Sequence, residues 1–216
     1  MMAPTQASAQ HRQNELKGYF LGFLGVAIFS ATLPVTKLAV GTDACPLMSG
    51  QFVAFARAVI AGTLSLLWLL WVRPAIPKGR DWLLLAVTAC GVVFGFPLLT
   101  SHAMRYVDGT HASVVLGLMP LATALCGALV YRRRPPSAFW LASLAGCGLV
   151  MAFTIWRGQG ELGANAIGLS FADVMLFGAV VLGAIGYASG AVLATRHRSE
   201  TVISWALVIS LPLTTI

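Results

Sequence analysis

Long apolar runs separated by short polar turns constrain this chain more than any other feature of its sequence. A helix needs roughly 20 apolar residues to cross a bilayer core of about 30 Å. Six runs come close to that length, at 18–40, 47–72, 82–104, 111–131, 138–156 and 169–194. A seventh begins near Thr201 and continues to Ile216. The sequence therefore predicts an all-α polytopic membrane protein with six complete transmembrane helices and a partial seventh. Because a helix that stops inside lipid would leave its last carbonyls without partners, we expect the chain to be part of a longer protein.

The composition excludes several other classes of protein. Of the 216 residues, 58% are hydrophobic and 10% are charged, whereas soluble domains carry about 25% charged residues. The net charge of +7 lies in short clusters between apolar runs, so no continuous basic face for a nucleic acid is expected. The four cysteines form no CxxC pair, which argues against a disulfide framework and a zinc site. Sequence motifs of soluble enzymes and of nucleotide-binding loops are missing, so we expect neither an enzyme nor a cofactor.

The distribution of lysine and arginine predicts the orientation, because loops that stay in the cytoplasm are enriched in these residues. Residues 1–17 are mostly polar and are expected to form a disordered cytoplasmic tail. If the spans alternate in direction, two positive residues lie on one side of the membrane, Arg105 and Arg157. The other side has ten, namely Arg12, Lys17, Arg73, Lys78, Arg80, Arg132, Arg133, Arg134, Arg196 and Arg198. We therefore predict a multi-pass protein of a bacterial inner membrane with a cytoplasmic N-terminus.

Small residues recur at helical spacing in several of the predicted spans. Such faces let helix backbones approach closely in lipid, so they indicate either helix packing or the wall of a cavity. The second span has one stripe, formed by Pro46, Gly50, Ala54, Arg57 and Ala61. The sixth span has a similar stripe, formed by Ala179, Gly183, Gly186, Gly190 and Ala194.

A weak internal repeat links the first and sixth spans. When residues 24–39 are moved by 157 positions onto 181–196, four residues are identical, at Ala27, Ile28, Ala31 and Val35 of the first copy. The offset corresponds to five helices, and an odd number of spans would invert the second copy in the membrane. Inverted repeats of this kind are common in secondary transporters.

Arg57 is the most informative single residue, because an arginine within an apolar span is costly. Placing this charge at the centre of a bilayer costs about 2.5–3.5 kcal/mol on insertion scales. If the helix begins at Pro46, Arg57 lies about 16 Å deep, near the membrane centre. Its place on the small-residue stripe predicts that it faces the bundle. Two interpretations remain open. Arg57 is either functional, as a site for an anionic group such as a substrate carboxylate or as the lining of a wet cavity, or structural, as an arginine bonded to backbone carbonyls at broken helix turns.

Other polar and proline residues within the spans are weaker candidates. Lys37 is expected near the outer interface, where its chain can reach the headgroups, and Pro34 predicts a kink one turn below it. Pro120 is expected to have the same effect in the fourth span. Asp173 follows Ser170 at the spacing of a capping box, so it is interpreted as a helix cap rather than as a proton carrier. His102, Arg105, Asp108 and His111 are interpreted as a solvated outer loop.

These patterns, in their order and spacing, resemble the EamA-type transporters of the drug/metabolite transporter superfamily. The segments that carry the resemblance are FSATLPVTKLAVG, then Pro46 and FARA with Arg57, then AMRYVDGTHASVVLGLMPLATAL and WLASLAGCGLVMAF. The family often has a Glu beside an Arg after the fourth helix, whereas this chain has YRRRPP. The resemblance implies ten helices in two inverted five-helix repeats around a substrate cavity. Residues 18–156 would form the first repeat, and residues 157–216 would begin the second.

The resemblance implies a secondary transporter that exports small metabolites, amino acids or drugs by alternating access. The alternative is a protein of another functional class, namely a membrane fragment or interaction subunit without transport activity. A carrier of nucleotide sugars or phosphate is a weaker alternative. The partners expected are a small-molecule substrate and the lipid bilayer, with a homodimer as an option and no nucleic acid. The candidates for the substrate path are Arg57, Lys37, Pro34, Ser30, Gly50, Pro120 and Tyr187, and no metal site is expected.

Overall fold

The computed structural model describes residues 6–131, 136–158 and 171–214. These residues form helices joined by short loops, with one isolated antiparallel bridge between Gly41 and Pro46. The helices are α1 (Gln6–Ser30), α2 (Thr32–Val40), α3 (Gly50–Val72), α4 (Asp81–Thr88), α5 (Phe96–Ala103), α6 (Gly109–Leu116), α7 (Met119–Tyr131), α8 (Ser137–Gly158), α9 (Phe171–Ala194) and α10 (Ser199–Thr214). A π-helical segment, Ala89–Gly95, joins α4 to α5.

Five helical stretches are long and apolar enough to cross a membrane, which agrees with a multi-pass membrane protein. They are Glu15–Val40, Gly50–Val72, Asp81–Ala103, Gly109–Val130 and Phe171–Ala194, and they correspond to the predicted first, second, third, fourth and sixth spans. Within the described residues, the apolar helices Ser137–Leu149 and Ser199–Thr214 are shorter. They lie where the fifth and seventh spans were predicted. The count of six complete spans and a partial seventh stays a prediction.

The structure differs from the sequence prediction at the N-terminal tail. Helix α1 begins at Gln6, so residues 6–17 are helical, although the whole segment 1–17 was expected to be disordered. The first span is α1 followed by α2, with a break at Ala31.

Helix α9, the sixth span, packs against both the third and the fourth spans. Its closest approach is to the π-helical segment, where Gly91 meets Gly186. A Cβ atom added to Gly91 would overlap the carbonyl oxygen of Leu182 and lie 2.8 Å from Cα of Gly186. The stripe of small residues predicted in the sixth span therefore forms a helix–helix contact around Gly183 and Gly186, which are both buried.

Helix α10, the seventh span, packs against α3 of the second span. A Cβ atom on Gly62 of α3 would lie 2.6 Å from Cδ2 of Leu211. The loop after α3 contributes Ala75 to a small apolar pocket that Thr201 of α10 also lines. Because the C-terminal end of α3 thus meets the N-terminal end of α10, the two helices run antiparallel.

Two apolar clusters close opposite ends of the described bundle. The first, at what we call the Lys37 end, joins the first four spans to the sixth and contains Val40, Val53, Ala103, Met104, Ala112, Val115, Ala172 and Leu176. The second, at what we call the Asp81 end, contains Leu85, Ala89, Leu193, Val202 and Ala206.

Polar contacts connect three elements at the Asp81 end. The Asp81 carboxylate lies 2.9 Å from Nε2 of His197 and 3.4 Å from Nη1 of Arg196. The ring of Trp82 packs edge-on against Trp205, with centroids 5.8 Å apart. These contacts tie the start of the third span to the end of the sixth and to α10.

Substitutions at the glycine crossing test whether it holds the bundle together. We expect Gly91→Ala and Gly186→Ala each to lower the free energy of unfolding by about 1–3 kcal/mol, since an added methyl group has no room there. Gly127→Ala is the control, because a Cβ at Gly127 meets no atom within 4 Å; it should be neutral or stabilise by up to about 1 kcal/mol through helix propensity. Thermal melting of the purified variants in detergent measures the difference. Equal melting temperatures for Gly91→Ala and Gly127→Ala would contradict the tight crossing.

Candidate functional site

Arg57 lines an open cleft between the first and second spans. The cleft has a volume of about 440 Å³, which lies within the usual range for small-molecule sites. Most of its wall is apolar. The first span contributes Ile28, Ala31, Thr32, Val35, Thr36 and Ala39, and the second contributes Met48, Phe52, Val53, Ala56, Arg57 and Ile60.

The guanidinium group of Arg57 is available for binding. Its side chain is among the exposed ones, and no described residue forms a hydrogen bond or a salt bridge with it. Tyr187 of α9 is within electrostatic range of Arg57, but it is not among the residues that line the cleft. A guanidinium has five N–H donors, and residues of the described segments use none of them, so they can bind an anion or water.

The position of Arg57 along and around α3 differs from the prediction in two respects. The helix begins at Gly50 rather than at Pro46, so Arg57 lies about 10 Å from the start of the helix at 1.5 Å per residue, somewhat short of the middle of the helix on its Lys37 side. The buried ridge of α3 is formed by Gly50, Ala54, Ala58 and Gly62. Arg57 lies beside this ridge and faces the cleft, not the packed interior that the stripe had indicated.

The first span is interrupted beside the cleft, where the sequence predicted a kink. Helix α1 ends at Ser30 and α2 begins at Thr32. Pro34 has no N–H group to donate to the carbonyl of Ser30, four residues earlier. The Ser30 hydroxyl instead donates a hydrogen bond of 2.7 Å to the carbonyl of Ala27, which is a bond that bends helices. Ser30 and Pro34 are both exposed and do not line the cleft. Their effect is therefore on the backbone of the first span, which they interrupt, and not on the cleft wall.

Lys37 has a specific partner at the end of the third span. Its Nζ donates to the carbonyl oxygens of Met104 at 2.8 Å and Val107 at 2.9 Å. These carbonyls follow the C-terminal end of α5, where a positive charge is favoured by the helix dipole. The side chain is half-buried. Lys37 therefore ties the first span to the third, whereas the sequence had predicted a lysine reaching the headgroups.

Neither Gly50 nor Pro120 lines the cleft. Gly50 lies in a helix–helix contact, and Pro120 lies at the start of a helix. A Cβ on Gly50 would lie 2.9 Å from the backbone of Ser101 and His102, so Gly50 allows the second span to approach the third. Pro120 is exposed in the first turn of α7, after a break in the fourth span at residues 117–118. Of the seven candidates, Arg57 lines the cleft, and Tyr187 is within electrostatic range of it.

A carboxylate–imidazole pair joins the fourth and sixth spans at the Lys37 end. Oδ1 of Asp173, which is buried, lies 2.5 Å from Nε2 of the half-exposed His111. The sequence had assigned Asp173 to a helix cap with Ser170, which lies outside the described residues, and His111 to a solvated loop. No group of three His, Cys, Asp or Glu side chains that could hold a metal ion occurs in the described parts of the chain.

Sequence reasoning missed most of the cleft wall. Thr32, Thr36 and Ala39 of the first span lie on one helical stripe, as do Phe52, Ala56 and Ile60 of the second. Their spacing of three to four residues was visible. Because these stripes combine side chains of different size and polarity, the sequence does not distinguish them from faces that contact lipid.

The cleft and the broken first span lie within the part of the chain that matches a known family. A model of the EamA-like transporter family matches residues 16–156. The chain belongs to the EamA-like transporter family. The resemblance found in the sequence is thereby confirmed, and the matched EamA-like segment covers the first four spans and α8.

Two curated relatives of this EamA-like protein are named as transporters. The "Uncharacterized transporter YdeK" of Bacillus subtilis (strain 168) is 45% identical over 196 residues, which cover 91% of this chain and 64% of the relative. An "Uncharacterized transporter" of Archaeoglobus fulgidus is 27% identical over 159 residues, which cover 71% of this chain and 52% of the relative. The chain thus spans less than two thirds of each relative. No solved structure matches the chain.

A substitution of Lys37 separates a structural role from a role in substrate binding. Lys37→Met removes two charge-assisted hydrogen bonds, and we expect it to lower the free energy of unfolding by about 1.5–3 kcal/mol. Lys37→Arg, which keeps donors and charge, should retain part of this stability. Thermal melting in detergent measures both variants, with Lys78→Met in an exposed loop as the control. Unchanged melting of Lys37→Met, together with a raised transport KM, would instead assign Lys37 to the substrate path.

Proposed function

We propose that this protein is part of a secondary transporter that exports small metabolites, amino acids or drugs by alternating access. Membership of the EamA-like transporter family carries this proposal. The names of the two relatives support it, and they do not favour an interaction subunit without transport activity. The cleft beside a broken helix adds a physical argument, since transporters often bind substrates where a membrane helix is interrupted.

The packing of α10 against α3 supports a ten-helix protein of two inverted repeats. These helices are the second and seventh predicted spans, so they are five helices apart, and they run antiparallel. In an inverted repeat, equivalent helices are related by an axis in the membrane plane and run in opposite directions. On this proposal, residues 18–156 form the first repeat and residues 157–216 begin the second.

The proposal assigns Arg57 to the substrate path. A structural arginine would donate to backbone carbonyls, whereas Arg57 has no hydrogen-bond partner among the described residues. Lys37 is already bonded to carbonyls, which weakens the case for a phosphate carrier with several cations at its site. The other partners proposed are the lipid bilayer and, as an option, a second copy of the chain.

Transport by the full-length protein tests the assignment of Arg57. A screen of metabolite release and drug tolerance, in cells with and without the protein, first identifies a substrate. We expect Arg57→Ala and Arg57→Lys to reduce its transport about tenfold or more, since a charge-assisted hydrogen bond contributes about 1.5–3 kcal/mol. Arg80→Gln, in an exposed loop, is the matched control. Unchanged transport by Arg57→Ala at normal membrane levels would refute the substrate role, and loss of the protein from the membrane would favour a structural role.

The proposed location is a bacterial inner membrane, with the N-terminus in the cytoplasm and the Lys37 end facing outward. The bias of ten positive residues to two supports this orientation, and the Bacillus relative supports a bacterial membrane.

Cys45 provides a test of this orientation, because it is exposed in the loop at the Lys37 end, while Cys90, Cys126 and Cys147 lie within helical spans. A membrane-impermeant maleimide added to spheroplasts should label Cys45 in intact samples, and Cys45→Ser should abolish the signal. Labelling that requires lysis would place the Lys37 end in the cytoplasm.

A further inference from the structure

The cleft beside Arg57 combines one cation with a mostly apolar wall. Nine of its twelve lining side chains are apolar, and the other three are Thr32, Thr36 and Arg57. None of these described lining residues is an acid or a histidine. The wall therefore complements a single negative charge and offers no partner for a positive one.

The donors at this site suit a carboxylate. The planar guanidinium of Arg57 can form two parallel hydrogen bonds to the two oxygens of one carboxylate. An ammonium group bound here would lose its hydration without gaining a carboxylate. Amines and zwitterions should consequently bind more weakly than simple acids.

The apolar wall extends away from Arg57 in both directions along α3. Phe52 lies about 7.5 Å from Arg57 along the helix axis and Ile60 about 4.5 Å in the opposite direction, at 1.5 Å per residue. Val35 of the first span faces the same cleft. A ligand anchored at Arg57 would thus place its body against aliphatic and aromatic side chains, where hydroxyl groups or a second charge would remain unpaired.

From this arrangement we infer that the cleft binds organic monocarboxylates with an apolar body, held by Arg57. The anion is bound at the cation, and the hydrocarbon part is bound along Phe52 and Val35. This inference gives the substrate class of the proposed transporter, and its role in transport rests on that proposed function. Binding itself does not depend on transport and can be measured separately.

Four small probes with similar carbon chains test the inference on the purified full-length protein in detergent. They are 4-methylpentanoate, its neutral amide, 3-methylbutylamine and leucine. We expect 4-methylpentanoate to raise the melting temperature and to give a binding isotherm by calorimetry. The amide, the amine and the zwitterion should bind about tenfold more weakly or not measurably, because each lacks a net negative charge to pair with Arg57.

A variant then assigns the binding to Arg57. Arg57→Gln should weaken 4-methylpentanoate binding about tenfold or more, through the loss of donors to the carboxylate. Arg80→Gln should bind like the unchanged protein. Equal affinity of the acid and the amide, or unchanged affinity in Arg57→Gln, would overturn the inference. If Arg57→Gln does not fold, the inference is tested by comparing the affinities of the acid and the amide for the unchanged protein.

The ligand of the cleft could also come from the membrane, because a fatty acid also carries a carboxylate on an apolar chain. Oleate is therefore measured beside 4-methylpentanoate. Binding of oleate alone would assign the cleft to lipid and would overturn a site for small solutes. Transport of 4-methylpentanoate in proteoliposomes separates the two proposals. Binding without transport would contradict the transport function, and transport of other solutes without carboxylate binding would contradict the substrate class.

Discussion

The close crossing of the third and sixth spans is the contact on which the described bundle depends. Lipid chains are as apolar as the helix surfaces, so burial from water provides no drive for helix pairing inside the bilayer, and close packing must supply it. Gly91 and Gly186 bring two backbones into direct contact. The π-helical segment Ala89–Gly95 presents Gly91 and Gly95 to the same residue, Leu182.

Polar contacts at the two ends of the bundle attach the third span to different helices. At the Lys37 end, Lys37 connects it to the first span through the carbonyls of Met104 and Val107. At the Asp81 end, the Asp81 carboxylate connects the third span to His197, which follows the sixth span. Each contact pairs a charged group with a partner of opposite charge or dipole, so the end groups stay satisfied in a medium that gives them little help. The third span is consequently held at both ends, while the first and second spans leave a cleft between them.

The sequence predicted the elements of this fold better than their contacts. Apolar runs gave the first four spans and the sixth to within a few residues, because the thickness of the bilayer fixes their length. Pro34 predicted the break in the first span for an equally local reason. The π-helical segment and the bond from Lys37 to Met104 were not predicted, since both depend on residues that meet only after packing. The stripe of small residues grouped Arg57 with Gly50 and Ala54, whereas Arg57 lies beside the buried ridge and lines the cleft, because a stripe drawn at steps of three and four also passes close to the adjacent face.

The two cations within the first and second spans make the strongest case for a binding role of Arg57. Lys37 illustrates how this bundle satisfies a structural cation, with two backbone carbonyls below 3 Å. Arg57 has more donors but no hydrogen-bond partner among the described residues, and its wall is mostly apolar. Such a charge costs several kcal/mol if it is dry, which favours an anion or water in the cleft beside it. An anion that brings its own apolar body would satisfy the guanidinium and cover the wall at once, which water cannot do.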